Sequence, residues 1–570
     1  MCCTMSVKSR LKVVLCWHMH QPDYRGADHS DFQLPWVYLH GIKDYVDMVA
    51  HLENNSDARA VVNFAPVLLE QIDDYVQQIS DWLEKGLLIK DPLLAALAGP
   101  GLPMDQAARR DLIHACRKAN EKQLIHRFRT FHRLVDIAGW IDGHRENSMY
   151  LNDQYLVDLL VWYHLAWMGE HARINDLRVK SLEKKRHGYS CDDRRVLVQA
   201  ILDLLRGIIP RYRRLAQQGR VELSVTPYAH PIVPLLLDIN STREAMPDAE
   251  LPNVEAYPSG EERARWHIRK GIEVFRKHFG FEPVGCWPSE GAVSERTLEL
   301  LDEEGFRWAA TGQQVLHNSL VASKGGDLEP NWLHKPYWST DNGINCFFRD
   351  DGLSDLIGFT YADWHADDAV GNLIQHLENI ADATEGKSDR IVSIIMDGEN
   401  AWEHYPRNGC FFLTALYKAL AEHPRLALTT FNNYLSKRGK QSDRLDKVVA
   451  GSWVYGTFST WIGDPDKNRG WEMLVDAKRA FDRVMESDRL NEKQREQAEI
   501  QMATCEGSDW FWWFGDYNPG DTVSDFESLF RKQLTFLYEL LGEEPPEYLQ
   551  HVFAKGSGDP SLGGVMRQNV

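Results

Sequence analysis

Seven short apolar runs, most of them rich in β-branched residues and most ending abruptly in polar or aromatic residues, recur along the chain: LKVVLCW (11–17), ARAVVNF (58–64), RVELSV (220–225), EPVGCW (282–287), RWAATG (307–312), LIGFTY (356–361) and RIVSIIM (390–396). Amphipathic segments such as EERARWHIRKGIEVFRKHF (261–279) and SERTLELLDEEG (294–305) lie between some of them. Strands that read as apolar runs and alternate with helices predict a parallel sheet or barrel. Two stretches break the rhythm with helix after helix: residues 67–215, an insertion after the second strand, and 407–570. This reading places the barrel in 1–406 and a helical C-terminal domain in 407–570, with insertion and C-terminal helices expected to wall the barrel mouth.

In such a barrel the reactive groups gather where strands end. The first run ends in HMHQP, with His18 and His20; the third leads to TPYAHP, with His230; the fourth to WPSEG, with Trp287 and Glu290; the seventh to DGENAW, with Asp397, Glu399 and Trp402. Asp397 closes a nearly unbroken apolar run, where a carboxylate is costly unless it is paired or put to use. Glu290 could instead cap the helix that follows it. Glu222, inside RVELSV, is read either as a ligand-facing group or as the buried partner of an arginine. Two acids on different strands match glycosidic bond cleavage, one protonating the leaving oxygen and the other attacking or stabilising the sugar. The H-x-H pair with a later His and Asp equally matches a metal-dependent hydrolase of the amidohydrolase or deacetylase kind. Spacing alone leaves both readings open.

Composition narrows the ligand. Lys+Arg 64 against Asp+Glu 83 gives a net charge of −19, spread along the chain, which argues against nucleic acid and anionic membranes as partners. Nineteen tryptophans suit sugars, whose C–H edges pack on ring faces. The nine cysteines are scattered without a C-x-x-C pair, the N-terminus reads as no secretory signal, and no run approaches the roughly 18 apolar residues of a membrane span; together these point to a cytoplasmic protein. The Gly-rich tail KGSGDPSLGG is read as loosely held.

Five blocks in order, HMHQP, GRVELSVTPYAHPIVPLL, GCWPSEGAVSE, IIMDGENAWEHY and GSWVYGTFSTWIGDPDKNRGW, resemble the signature regions of glycoside hydrolase family 57, and EGSDWFWWFGD (506–516) extends the likeness. The resemblance implies an incomplete seven-stranded (β/α)7 barrel followed by helices, no cofactor or metal, and a retaining hydrolase or transglycosylase acting on α-glucans or maltooligosaccharides, of α-amylase, amylopullulanase or 4-α-glucanotransferase type. By position in the blocks it assigns Glu290 as nucleophile and Asp397 as acid/base. It assigns His18, His20, His230, Trp287, Trp402 and Trp461 as substrate contacts. Glu399 is the local alternative to Asp397, and a non-catalytic glucan-binding relative is the remaining reading.

Overall fold

The computed structural model describes residues 10–26, 30–99, 101–142, 151–324, 328, 332–339, 343–387, 389–438, 443–558 and 566. Most of the Gly-rich tail and of the N-terminal residues, with Cys2 and Cys3, lies outside them. Seven parallel strands make the barrel: β1 Leu11–Met19, β2 Ala60–Phe64, β3 Val221–Val225, β4 Gly285–Cys286, β5 Trp308–Thr311, β6 Asn345–Phe348 and β7 Ile391–Asp397. Neighbours pair in the order β6-β5-β4-β3-β2-β1-β7. Between β6 and β7 the pairing shrinks to one parallel bridge, Arg349 opposite Ser393, so the barrel is incomplete there. The Arg349 guanidinium partly spans the gap by donating to the Ile395 carbonyl at 2.9 Å.

Six of the seven apolar runs form strands; the sixth does not. LIGFTY folds as a π-helical turn, Leu356–Thr360, followed by a 3-10 turn, and its place in the barrel is taken by NCFF (345–348). The reason is local: the Asp350 side chain accepts from the Leu353 N–H at 2.9 Å and caps a helix, Asp351–Asp355, that runs straight into the turn. A short apolar run without flanking punctuation fits strand and buried helix alike.

The segment between β2 and β3 holds helices and no strand among its described residues, from Pro66–Lys85 to Cys191–Gln217, and these two helices pack together. Beyond residue 407 the chain returns to the sheet: Leu426–Leu428 pairs in parallel with Leu11 to Val13 of β1, and Asp443–Arg444 pairs in parallel with Tyr337–Trp338, which lies antiparallel beside β6. The long helices Pro465–Met485, Glu492–Cys505 and Gly520–Leu540 follow. The barrel interior is aromatic, with Trp287, Trp308 and Phe347 clustered there and nearly inaccessible to solvent. Gly285 is needed there, since a Cβ on it would lie 1.8 Å from the Trp308 ring.

Candidate active site

Register decides which strand-end residues meet. His18 on β1 stands opposite Asn63 on β2 and, on its other side, opposite Asp397 on β7; Asn63 stands opposite Ser224 on β3. Four strands therefore present one ring of polar groups at their C-terminal ends, the end where barrels place their chemistry. Above that ring lies a cavity of about 280 Å³, lined among others by His18, His20, Glu290, Asp397, Glu399 and Asn400.

Glu290 and Asp397, brought together from β4 and β7, face this cavity in different environments. The WPSEG turn holds Glu290 in the left-handed region, φ 56 and ψ 25, a conformation that costs a non-glycine residue roughly 1–2 kcal/mol and is tolerated where the fold over-determines it. Here the Glu290 carbonyl accepts from the Trp453 N–H at 3.1 Å and its carboxylate from the Trp453 indole at 3.0 Å. Gly291 follows, also at positive φ, and a Cβ on it would come within 2.9 Å of Trp287. Asp397 is enclosed: burial pushes its pKa up to about 6, against the downward pull of the Asn400 amide, which donates to it at 2.9 Å, and of His20 and Arg349. The acid at 397 thus holds its proton to higher pH than an ordinary carboxyl.

The three histidines do come together, their nitrogens within 4.8 Å of one another. Their rings, however, lie nearly parallel: His20 stacks on His230 at 3.8 Å between centroids and 16°, and His18 lies 15° from His20. A cation bound by imidazoles must lie in the plane of each ring, and two parallel stacked planes share no such point. The trio therefore does not fit a chelated metal. It fits a hydrogen-bonded relay. The Asn63 Oδ1 atom already accepts from the Thr226 hydroxyl at 2.8 Å, so the His18 Nδ1–H donates to it at 2.7 Å. Burial lowers the pKa of His18 to about 3 and that of His230 well below the imidazole range. Both are neutral, so His230 Nε2–H donates to the bare His18 Nε2 at 3.2 Å. That leaves His230 Nδ1 as a lone pair, accepting from the Ser508 hydroxyl at 2.8 Å and standing 3.8 Å from the Glu290 carboxylate without charge to neutralise it.

Other expected contacts lie elsewhere. Trp402 is 1% exposed, its indole donating to the Gly398 carbonyl at 2.9 Å. It packs between Trp17 and Tyr405 in the core rather than in the cavity. Trp461 is fully buried behind Trp512, 6.0 Å away. Trp287 and His230 are 1% exposed and back the lining: Trp287 meets Trp453 edge-on, and His230 lies under His20. Aromatics conserve apolar area by going inside, and a strand end or loop does not tell which way a ring turns. Glu222 does not line the cavity: it is buried, its carboxylate accepting from the Trp308 indole at 2.6 Å and the Asn432 N–H at 2.9 Å, with the Arg307 charge nearby. Glu399 is 1% exposed, and its Oε1 accepts from the His20 N–H, the Gln21 amide and the Tyr45 hydroxyl at 3.1–3.3 Å. Burial and the neighbouring Asp397 raise its pKa well above the carboxyl range.

The sequence reading missed Trp453, Trp512, Trp513 and Asp509, all on the cavity wall. Asp509 accepts from the His20 Nε2–H at 2.8 Å. The cluster SDWFWW (508–513) was the available signal, an aromatic density a helix cannot bury on one face. Among the described residues, none of the 67–215 insertion lines the cavity; its Gln71 instead holds the loop after β1, accepting from the Tyr24 N–H and donating to the Pro22 carbonyl.

Residues 14–445 match the family described as Glycosyl hydrolase family 57. No curated protein matches the chain. Its fold is similar to that of a GH57 branching enzyme from Thermococcus kodakaraensis, solved with glucose and additives, at a TM-score of 0.58 and 14% identity over 97% of this chain and 93% of that one. It is similar to that of a GH57-type branching enzyme from Pyrococcus horikoshii at 0.55 and 15%, over 94% and 98%. The α-amylase AmyC from Thermotoga maritima gives 0.54 and 14%, over 95% and 96%. At such identities the likeness is one of fold.

Proposed function

The chain belongs to glycosyl hydrolase family 57, and from that membership we propose that it cleaves or rearranges α-glucans with retention of configuration. Glu290 is the nucleophile and Asp397 the acid/base. The observation that carries this reading is the pair itself: two carboxyl groups from β4 and β7 on one cavity, the one at 397 made by burial to keep its proton to higher pH than an ordinary carboxyl. Asp397 gives its proton to the glycosidic oxygen as Glu290 attacks the anomeric carbon; the deprotonated Asp397 then takes a proton from the water or sugar hydroxyl that displaces Glu290. The neutral His18–His230 relay leaves Glu290 its charge, and Trp453 orients it. His20, Trp453, Trp512 and Trp513 supply ring faces and edges for the sugar.

In this reading the barrel carries the chemistry and the C-terminal helices complete its cleft through Asp509, Trp512 and Trp513. The seven described cysteines are free thiols, which suits a reducing compartment. No helix among the described residues is long and apolar enough to cross a membrane.

Incubation with maltoheptaose and with pullulan tests the assignment. Shorter reducing oligomers mean hydrolysis, longer ones transfer, and maltotriose from pullulan α-1,6 cleavage. A purified protein that leaves both substrates unchanged refutes the reading.

A further inference from the structure

Asp397 also lines a second, much smaller cavity of about 40 Å³, which Glu290 does not touch. Trp453 and Trp512 form part of both walls, so Asp397 stands at the boundary between a large compartment and a small one. The small one is otherwise lined by Arg349, Ser354, Gly358 and Phe359, among others. Its size admits a water or two and no pyranose ring, and Asp397, Ser354 and Arg349 offer the polar partners that a held water requires.

We propose that this cavity holds the water that hydrolyses the glycosyl-enzyme, and that its free volume sets the partition between hydrolysis and transfer. The inference rests on the nucleophile and acid/base roles given above. In a double displacement the incoming group reaches the anomeric carbon from the face opposite the nucleophile, beside the acid/base. A compartment that touches Asp397 and not Glu290 meets that requirement. In the step itself the water oxygen bonds to the anomeric carbon and the bond from that carbon to Glu290 breaks. The electron pair returns to the Glu290 carboxylate, and a water proton passes to Asp397. A sugar acceptor, too large for the small cavity, enters through the larger one.

Gly358 makes this testable. It sits in the π-helical turn Leu356–Thr360, and a Cβ on it would meet only the terminal methyl of Met396, at the ordinary contact distance of 3.6 Å. Gly358→Ala, and more so Gly358→Val, would take space from the small cavity without touching the large one.

The experiment compares wild type with both variants on an aryl maltooligosaccharide, with excess maltose as acceptor. It measures aryl release, which reports formation of the glycosyl-enzyme, and the ratio of water-captured to maltose-captured product. Gly358→Ala is expected to lower that ratio severalfold and Gly358→Val further, with aryl release unchanged. Melting temperatures show that each variant is folded, and Gly358→Ala alone suffices if the larger side chain is not tolerated. An unchanged ratio in a folded variant with normal aryl release overturns the proposal, as does a fall in aryl release that matches the fall in water capture. A Glu290→Gln control separates the two levels: if it still turns over, the nucleophile assignment itself is wrong, whatever the ratio does.

Discussion

Replacing Asp397 by Asn should make the protein more stable at neutral pH while removing most of its activity. Burial raises the folded-state pKa of Asp397 from 3.8 to about 6, a shift of roughly 2 units worth about 3 kcal/mol as a ceiling, at 1.36 kcal/mol per unit. Solvent in the adjoining cavity screens part of this, leaving roughly 1–2 kcal/mol. Between pH 4 and 6 the folded protein binds more protons at this site than the unfolded chain does. Stability from this group is therefore intact below about pH 4 and lost as pH rises through about 6. The Asp397→Asn side chain carries no charge at any pH, so the variant escapes that loss. Urea denaturation should show the two proteins equal near pH 4 and the variant ahead by roughly 1–2 kcal/mol at pH 7.5. Turnover of maltooligosaccharides should fall by about 10²–10⁴, the range for a lost general acid. Aryl glycosides with good leaving groups should retain the first step, and azide should speed the second. The kcat/KM of the wild type should decline above about pH 6, as the acid loses its proton. A variant less stable than wild type at pH 7.5, or one with turnover within tenfold of it, would refute the assignment of a general acid at 397 whose pKa burial has raised.

Glu290→Gln should abolish turnover yet bind maltooligosaccharides, measured by calorimetry, because the amide keeps an acceptor for the Trp453 indole and loses only the attacking charge. Trp453→Phe, which removes that indole N–H, should lower kcat by about tenfold in steady-state kinetics, the cost of one hydrogen bond to a charged group. Exhaustive chelation should leave activity unchanged, since the stacked histidines cannot converge on a cation; loss of activity with EDTA and recovery with zinc would reverse that conclusion.

Much of the fold was legible because parallel barrel strands are buried on both faces and so appear as continuous apolar runs. β1, β2, β3, β5 and β7 could hardly be anything else, and a carboxylate closing such a run, as Asp397 does, announces a use. The sixth strand escaped because periodicity over four to six apolar residues carries no preference between strand and turn, and a single cap at Asp350 decided it. What a side chain faces was less legible still. Trp402 and Trp461 sit in blocks that resemble a sugar site and yet are packed into the core, while Trp512 and Trp513, read only as extra similarity, reach the cavity wall from a helix more than a hundred residues beyond Asp397. The sequence by itself determined which chemical groups stand at the strand ends, since residue type and alternation are local properties. The tertiary structure alone decided the rest: the register that sets His18 between Asn63 and Asp397, the left-handed turn that aims Glu290, and the burial that makes one carboxyl an acid. Protonation and orientation depend on what surrounds a group in space, and those surroundings come from segments hundreds of residues apart.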